Sequence, residues 1–522
     1  MDKKRAILNI TISITTKVIL LALALLSKRF LIQFTGNEAN GLYTLYTSII
    51  GFLAVAELGI GAAISFSMYK PIVEGDDKKV AGLYNLYKKV YYLIGIIILV
   101  IGVIITPVLP YLVKNYSGNY NLYLTFLIML IAVVLTYVYS AKTSLINAYK
   151  NNYITTLINS ISILFRTGMQ ILILYLTSSF LWYLFLMIFG TVLEWILTEI
   201  YTRKRYKNLI TTNEQIDIET KIEVKKNIKA MFMHKIGAVI YASIDNIIIS
   251  AFIGISILGL YSNYILIATS LVGILGLFFN PLTSIIGHLC AADDENEKKK
   301  YFKFMYFLNF TLGIIFFLGY YAVIDNVINI CFGDDLLITK DVSFVITLSS
   351  FINYMRQTIW IYRDAMGIFY YNRWQPIIEV VVNIVLSIAF VYLLGITGVI
   401  IATILSNIFI CHIIEPYVLY KHGFKHENNN FMKNCLKYYI INYSLIGVFL
   451  CCMVVLHFCL QDMGNDWITL LVNGCIAVAL ALIPLIILFI VSKTYRQNVL
   501  KAFSYVLNLF KKLFNHKKEK ID

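Results

Sequence analysis

Long apolar runs separated by short polar clusters recur along the whole chain, and their lengths predict its architecture before any motif does. A helix that crosses a bilayer needs about 20 mainly apolar residues. Runs of that kind lie near residues 7–34, 41–66, 90–112, 121–140, 154–176, 180–200, 232–253, 258–288, 304–330, 342–362, 377–394, 398–417, 438–459 and 467–491, which predicts about 14 transmembrane helices and an all-α integral membrane fold. Two other stretches carry helical periodicity. In EGDDKKVAGLYNLYKK, Val80, Leu83, Tyr84 and Tyr87 fall at i, i+3, i+4 and i+7, a pattern that predicts an amphipathic helix lying in the membrane interface. Near the end of the chain Val499, Phe503, Val506, Phe510 and Leu513 line one face, with Lys511, Lys512, Lys517 and Lys518 placed to meet anionic headgroups. The basic start MDKKR followed by the apolar core Val18 to Leu26 has the outline of a signal peptide. Lys17 interrupts that run and many further runs follow it, so a retained first helix is expected.

The runs come in two copies. At an offset of 218 residues, GLYTLYTSI from Gly41 returns as GLYSNYILI from Gly259, pairing Leu42 with Leu260, Tyr43 with Tyr261 and Tyr46 with Tyr264. The same offset pairs Gly36 with Gly254, Asp76 with Asp294 and Lys17 with Lys235. Each copy holds six runs, so both begin on the same side of the membrane and are parallel repeats related by an axis along the membrane normal. The expected organisation is an N-terminal six-helix bundle at 1–205, a cytoplasmic linker at 206–230, a C-terminal six-helix bundle at 231–420, two additional helices at 421–491 and a basic amphipathic cytoplasmic tail at 492–522.

Composition and charge narrow the function. Only 14% of residues are charged, against about 25% in soluble domains, which excludes an ordinary cytosolic enzyme. The formal charge of +15 would suggest a nucleic-acid partner on a soluble protein. Here the segments on one side of the alternating spans hold 36 Lys and Arg and those on the other side hold two, Lys114 and Lys340. That asymmetry places both termini in the cytoplasm and removes the need for nucleic acid. The eight cysteines form no CxxC pair and no histidine stands at zinc-ligand spacing, so no metal site or disulfide framework is implied. No GxxxxGK[ST] and no HExxH occurs, and the two glycines of GIGAAI sit inside a span, so no cofactor is implied either.

Charged residues inside the spans carry the remaining information, because each costs free energy unless it faces a partner or a wet cavity. Lys17 and Lys28 are eleven residues apart and share a face of the first helix, separated along it by about 16 Å. The repeat puts Lys235 at the depth of Lys17 in the seventh run, and Arg166 and Arg356 add cations in the fifth and tenth. Arg166 lies at least ten residues from either end of its run, too deep to reach the headgroups, whereas Lys28 and Arg29 can also snorkel. The deepest carboxylates are Glu57, Glu194 and Asp245. For Glu57 and Asp245 a structural ion pair and a role in ion or proton coupling both stay open. Two broad functions remain: a transporter for something anionic, or an integral-membrane transferase or polymerase acting on lipid-linked substrates.

From Gly36 to Lys89 the sequence GNEANGLYTLYTSIIGFLAVAELGIGAAISFSMYKPIVEGDDKKVAGLYNLYKK, above all its AELGIG core and the YKPI that follows, resembles the polysaccharide flippase branch of the multidrug/oligosaccharidyl-lipid/polysaccharide exporter superfamily. Weaker similarity extends to about residue 420. The resemblance implies two six-helix repeats forming a V-shaped, alternating-access transporter, with two extra C-terminal helices as in the lipid II flippase and some polysaccharide transporters. It implies a bacterial cytoplasmic-membrane protein that is no enzyme and moves oligosaccharide on undecaprenyl diphosphate for capsule, exopolysaccharide or O-antigen synthesis. Its partners would be that lipid-linked oligosaccharide, membrane lipids and glycan-assembly proteins. In such flippases cations in a central cavity engage the lipid diphosphate; Lys17, Lys28, Arg166, Lys235 and Arg356 are the candidates here, with Glu57 and Asp245 as coupling or structural carboxylates. The first run lacks a dense arginine cluster of the lipid II type, which argues against lipid II itself. An ion-coupled exporter of small molecules and a membrane glycan polymerase or transferase remain as alternatives, the latter without a sizeable external loop to hold its chemistry.

Overall fold

The computed structural model of the chain describes residues 3–54, 60–212, 214, 216, 243–279, 282–291, 295–424, 431–492, 495–497 and 499–500; the side chains of residues 3–18 and 60–66, and several between 277 and 291, lie outside the description. The first half holds α1 (Lys3–Leu53), α2 (Ile60–Glu74), α3 (Asp77–Ile105), α4 (Leu122–Thr136), α5 (Ser140–Ala148), α6 (Asn152–Thr177) and α7 (Phe180–Thr211). The second half holds α8 (Ser243–Ile253), α9 (Ile255–Phe279), α10 (Leu282–Ala291), α11 (Glu295–Phe332), α12 (Lys340–Met355), α13 (Gln357–Met366), α14 (Gln375–Leu394), α15 (Ile396–Ser406) and α16 (His412–Val418), and α17 (Phe431–Cys459) and α18 (Asp466–Val491) follow. Polar caps mark where helices begin: Asp76 accepts from Lys79 N at 2.9 Å and Asn121 from Leu124 N at 3.0 Å, each satisfying an otherwise orphaned amide. Between the caps the outward faces are apolar, as with exposed Val100, Ile101 and Ile104 on α3 and Ile483, Ile486, Ile487 and Ile490 on α18. Helices are the economical answer in lipid, because every backbone polar group is satisfied within the segment.

Eleven helices among the described residues are long and apolar enough to cross a membrane. The difference from the fourteen apolar runs has three sources. The first run and the second as far as Leu53 are joined in α1 through non-helical backbone at Gly36 (φ 82°, ψ 167°), with no loop between them. The seventh run is described only from Ser243, as the short α8. The tenth is split into α12 and α13 at Arg356. One expectation is corrected: residues 77–89 are the first turns of α3, continuous with the third span, and Val80, Leu83, Tyr84 and Tyr87 are buried in protein. Nothing between Lys89 and Val90 breaks the helix, so its apolar stripe packs on neighbouring helices instead of lying on the lipid. The expected amphipathic tail falls almost wholly outside the described residues.

The repeat is visible as paired geometry. Gly36 and Gly254 both adopt positive φ, 82° and 154°, and each joins two helices without a loop, a conformation that favours glycine. Five residues beyond each, a second glycine allows close approach: a Cβ on Gly41 would lie 2.1 Å from the Ile255 carbonyl oxygen, and one on Gly259 would lie 2.5 Å from that of Asn37. The 218-residue offset maps Gly41 onto Gly259 and Asn37 onto Ile255, so the contact is reciprocal, as a two-fold axis between parallel repeats requires. Tyr46 and Tyr264, both fully buried, repeat the theme: Tyr46 donates to Leu122 O at 3.2 Å, and the Tyr264 hydroxyl accepts from Ile338 N at 3.3 Å. The segment 112–120, between α3 and α4, ties both glycine joints. Lys114 N donates to Ser250 O and Ile255 N to Lys114 O, each at 3.1 Å. Tyr120 donates to Thr35 O at 2.6 Å and Ser117 N to Glu38 Oε1 at 2.7 Å. Burial, and then the Glu38 carboxylate, raise the Tyr120 phenol above its ordinary pKa.

The chain forms two compact units. The first comprises Met1–Ser270, Cys331–Ile338 and Asn372–Ser406, and the second Leu271–Ile330, Thr339–Tyr371 and Asn407–Asp522. The second has an aromatic core in which Phe351 and Phe449 stack at 3.6 Å between centroids and Gly313 admits the Phe351 and Tyr354 rings. α17 is bonded into that unit by a buried chain: Tyr306 donates to Asn442 Oδ1 at 2.6 Å, the Asn442 amide meets His412 Nδ1 at 3.1 Å, and His412 Nε2 reaches Ile352 O at 3.0 Å.

Candidate functional site

Three polar clusters lie in the first unit. Around the glycine crossing, Lys28 Nζ donates to Ser262 Oγ at 2.8 Å, and the Asn40 amide reaches that same oxygen at 3.3 Å, Gly259 O at 2.9 Å and Asn263 Oδ1 at 3.1 Å. Asn40 and Asn263 are fully buried, yet Asn40 Oδ1 and Asn263 Nδ2 have no hydrogen-bond partner. Lys17 lies on the same helix, α1, with its side chain outside the description; Lys235 and Glu57 lie outside the described residues altogether.

Arg166 belongs to a second cluster, built where the fourth span breaks. Between α4 and α5 the chain tightens, Tyr137 N reaching Val134 O, Val138 N reaching Leu135 O and Tyr139 N reaching Thr136 O. The break, with α3, α6 and α7, lines an open-sided cavity of about 490 Å³ whose wall is largely hydroxyl and amide: Tyr91, Tyr139, Thr143, Ser144, Asn159, Ser162 and Thr191 lie around Arg166 and Glu194. The Asn159 amide holds both Glu194 oxygens, at 3.4 and 3.3 Å. Arg166 Nε and Ser162 Oγ are buried without a partner. Gly190 makes the arrangement sterically allowed, since a Cβ there would lie 2.9 to 3.1 Å from the Arg166 Cδ, Cβ and Cγ atoms. The arginine stem runs over the glycine and delivers the guanidinium to the cavity.

The third cluster gathers oxygens from α8, α14 and α15. Thr403 donates to Asp245 Oδ2 at 2.8 Å, and the Asn383 amide donates to Thr403 Oγ1 at 2.9 Å. Asp245 Oδ1, Asn383 Oδ1 and Ser387 Oγ are buried and have no hydrogen-bond partner. A carboxylate with neutral hydroxyl and amide oxygens suits a proton or a small hard cation, which prefers oxygen ligands. Among the described residues no group of three or more His, Cys, Asp or Glu could hold a metal ion.

Arg356 lies in the second unit and is differently placed. Its Nε and Nη2 donate to the two oxygens of Glu415 at 3.1 and 2.6 Å, its Nη1 donates to Asn407 at 2.7 Å and Asn353 at 3.2 Å, and its guanidinium lies 4.8 Å from the Trp360 ring centroid. Both charged side chains are buried. This guanidinium is committed to protein partners, at the α12/α13 break and beside the π-helical turn Asn407–Cys411.

Thus Lys28, Arg166 and Asp245 fall in one unit and Arg356 in the other. Single-charge searching missed Gly190, Asn159, Ser162, Asn383, Ser387, Thr403 and Asn40. A signal existed: Asn159, Ser162 and Arg166 follow i, i+3, i+7 spacing in an apolar span, Gly190 and Glu194 follow i, i+4, and so do Asn383 and Ser387, so each set shares one helical face.

Residues 6–286 match the model of a family described as polysaccharide biosynthesis protein. No curated protein matches. Among solved structures, the lipid II flippase MurJ in an inward closed conformation matches with a TM-score of 0.59 and 16% identity, covering 91% of this chain and 98% of that one. An inward-facing multidrug resistance MATE family transporter of the MOP superfamily matches with a TM-score of 0.60 and 12% identity, covering 84% and 98%. The eukaryotic MATE transporter AtDTX14 matches with a TM-score of 0.54 and 11% identity, covering 82% and 95%. At these identities the likeness establishes the fold, and the all-α membrane architecture read from the apolar runs agrees with it.

Proposed function

Given that the chain belongs to the polysaccharide biosynthesis protein family, we propose that it is a flippase that moves oligosaccharide linked to undecaprenyl diphosphate across the bacterial cytoplasmic membrane by alternating access. The observation that carries this reading is the family match over residues 6–286, a region that includes Lys17, Lys28, Arg166 and Lys235. Lys28 heads a buried seam in which amide groups keep unused hydrogen-bonding capacity. A lipid diphosphate is strongly anionic, and lysines placed in a partly dehydrated seam attract it more strongly than they would in bulk water. The prenyl chain stays in lipid, so only the head needs a polar path, and no covalent step is required. The excess of Lys and Arg on one side of the runs supports cytoplasmic termini. Asp245, with its unpartnered Oδ1 and the neighbouring Asn383 and Ser387 oxygens, is the residue best equipped to couple transport to a proton or cation.

The test is translocation of a fluorescent undecaprenyl-diphosphate oligosaccharide in vesicles holding the purified full chain. Replacing Lys17, Lys28 and Lys235 together by Ala is expected to lower the rate by about tenfold or more, the loss that follows from removing charge-assisted contacts. An unchanged rate at normal expression overturns the site. A second reading, cation-coupled export of small molecules, is favoured by the Asp245 oxygen cluster and by a fold shared with multidrug transporters. It requires dye efflux from vesicles that contain no prenyl lipid, abolished by Asp245→Asn.

A further inference from the structure

Resting on the flippase reading, we propose that the cavity around Arg166 is a glycan subsite that takes one uncharged, polyhydroxylated sugar ring of the lipid-linked head, while the diphosphate is held elsewhere. Among the described residues that line the cavity, the ionic ones are Arg166 and Glu194, one of each sign. A diphosphate entering it would face a carboxylate as well as a guanidinium. A sugar hydroxyl is both donor and acceptor, and it matches a wall that offers guanidinium N–H groups, carboxylate oxygens and the Asn159 amide within one space. The volume of about 490 Å³ lies in the range of about 300 to 1,000 Å³ in which small-molecule sites occur. Tyr91 and Tyr139 add aromatic rings, which suit the apolar C–H face of a pyranose while their hydroxyls stay polar.

Two features point to an occupant. Buried polar atoms are hydrogen-bonded in the great majority of cases, yet Ser162 Oγ, on a side chain only 3% exposed, and Arg166 Nε have no partner in the protein. And the Arg166 stem crosses Gly190, where a Cβ would lie 2.9 to 3.1 Å from it, so any larger residue there would push the stem from its present course. Arg166 and Glu194 share the cavity without closing an ion pair on each other; the carboxylate is oriented by the Asn159 amide, and Arg166 Nε is the group left without a partner.

The experiment uses the purified full chain in lipid nanodiscs and saturation-transfer NMR with methyl glucoside and methyl N-acetylglucosaminide, with inorganic diphosphate as the charged probe. A glycoside signal that falls by about fivefold or more in Glu194→Gln and in Ser162→Ala is expected, with diphosphate binding unchanged in both. No glycoside binding by the wild type, or binding by both variants at the wild-type level, overturns the subsite. The same variants in vesicles separate a free sugar from a lipid-linked one: transport of glycan-bearing undecaprenyl diphosphate is expected to fall by about tenfold while that of the sugar-free lipid holds. Equal loss for both lipids overturns the subsite, as does no loss for either. Glycoside binding that Glu194→Gln abolishes, in a wild type that moves no prenyl lipid, upholds the subsite and overturns the flippase reading.

Discussion

Arg166 and Arg356 stand at corresponding interruptions of the repeat and end in opposite states. The fourth span breaks at Tyr137–Tyr139 and the tenth at Arg356, and the 218-residue offset carries Val138 onto Arg356. Beside each break an arginine and a glutamate meet hydroxyl, amide and aromatic neighbours. Near Arg356 the donors are taken by Glu415, Asn407 and Asn353, and the Trp360 ring lies 4.8 Å from the guanidinium. Near Arg166 a glycine and a set of small hydroxyl residues leave about 490 Å³. The lesson is that an intramembrane arginine is structural or ligand-facing according to whether side chains of the right size fill its shell. Its charge is the same in both cases.

The sharpest way to break this comparison is to remove the acid on each side. Glu415→Ala strands a buried guanidinium, which costs about 3 to 5 kcal/mol in dry surroundings, so the purified variant is expected to lose most of its thermal stability or to fail to accumulate. Glu194→Ala removes the acceptor of the Asn159 amide in a polar cavity and breaks no ion pair of Arg166, so it is expected to cost about 1 kcal/mol. Thermal unfolding of both variants in one detergent decides it, and equal losses would mean that the two sites are alike. Reagent access gives a second contrast of about tenfold, equivalent to about 1.4 kcal/mol. With the exposed Cys451, Cys459 and Cys475 replaced by Ser, Thr143→Cys on the cavity wall is expected to react with a small methanethiosulfonate faster than Thr358→Cys, whose position beside Arg356 is fully buried. Equal rates would deny that the Arg166 cavity is wet.

Much of this was legible in the chain itself. The all-α membrane fold follows from run length, because lipid imposes one length scale on every helix, and the pairing of Gly36 with Gly254 and of Gly41 with Gly259 from a constant offset; the positive φ and close approach at these glycines do not. The charged residues were equally visible, since each is costly in a span. Their fates were not. Whether Arg356 meets Glu415, fifty-nine residues away, or whether Gly190 opens a channel for the Arg166 stem, depends on which helix faces pair, and hydropathy carries no such information. Residues 77–89 show the converse failure: the stripe Val80, Leu83, Tyr84, Tyr87 was read correctly as apolar, but periodicity cannot tell a lipid surface from a protein one.

A smaller effect probes what keeps the Arg166 site open. Gly190→Ala places a methyl group 2.9 to 3.1 Å from the arginine stem. The stem is flexible and can give way, so the stability cost is expected to stay near 1 kcal/mol, at the low end for overpacking. The guanidinium, however, must shift with its stem, and the thiol at Thr143→Cys is expected to change its reaction rate in the Gly190→Ala background. An unchanged rate would show that the cavity does not depend on the glycine.

The smallest expected effect is the most discriminating. If the Arg356–Glu415 pair only fills space and satisfies its own charges, replacing both partners at once with apolar side chains of similar size removes two desolvation penalties together with their attraction. Such exchanges of buried pairs are often neutral, or stabilising by about 1 to 4 kcal/mol. Arg356→Met with Glu415→Leu is therefore expected to recover most of what Glu415→Ala loses, short of the wild type by the Asn407 oxygen left without its donor and the Trp360 indole N–H left without its acceptor. The corresponding exchange in the cavity, Arg166→Met with Glu194→Leu, is expected to leave thermal stability near that of the wild type and to abolish glycoside binding. If the Arg356 exchange instead arrests transport in a protein that melts normally, the buried pair is a moving part of the cycle, and the dry site is functional in a way its packing does not reveal.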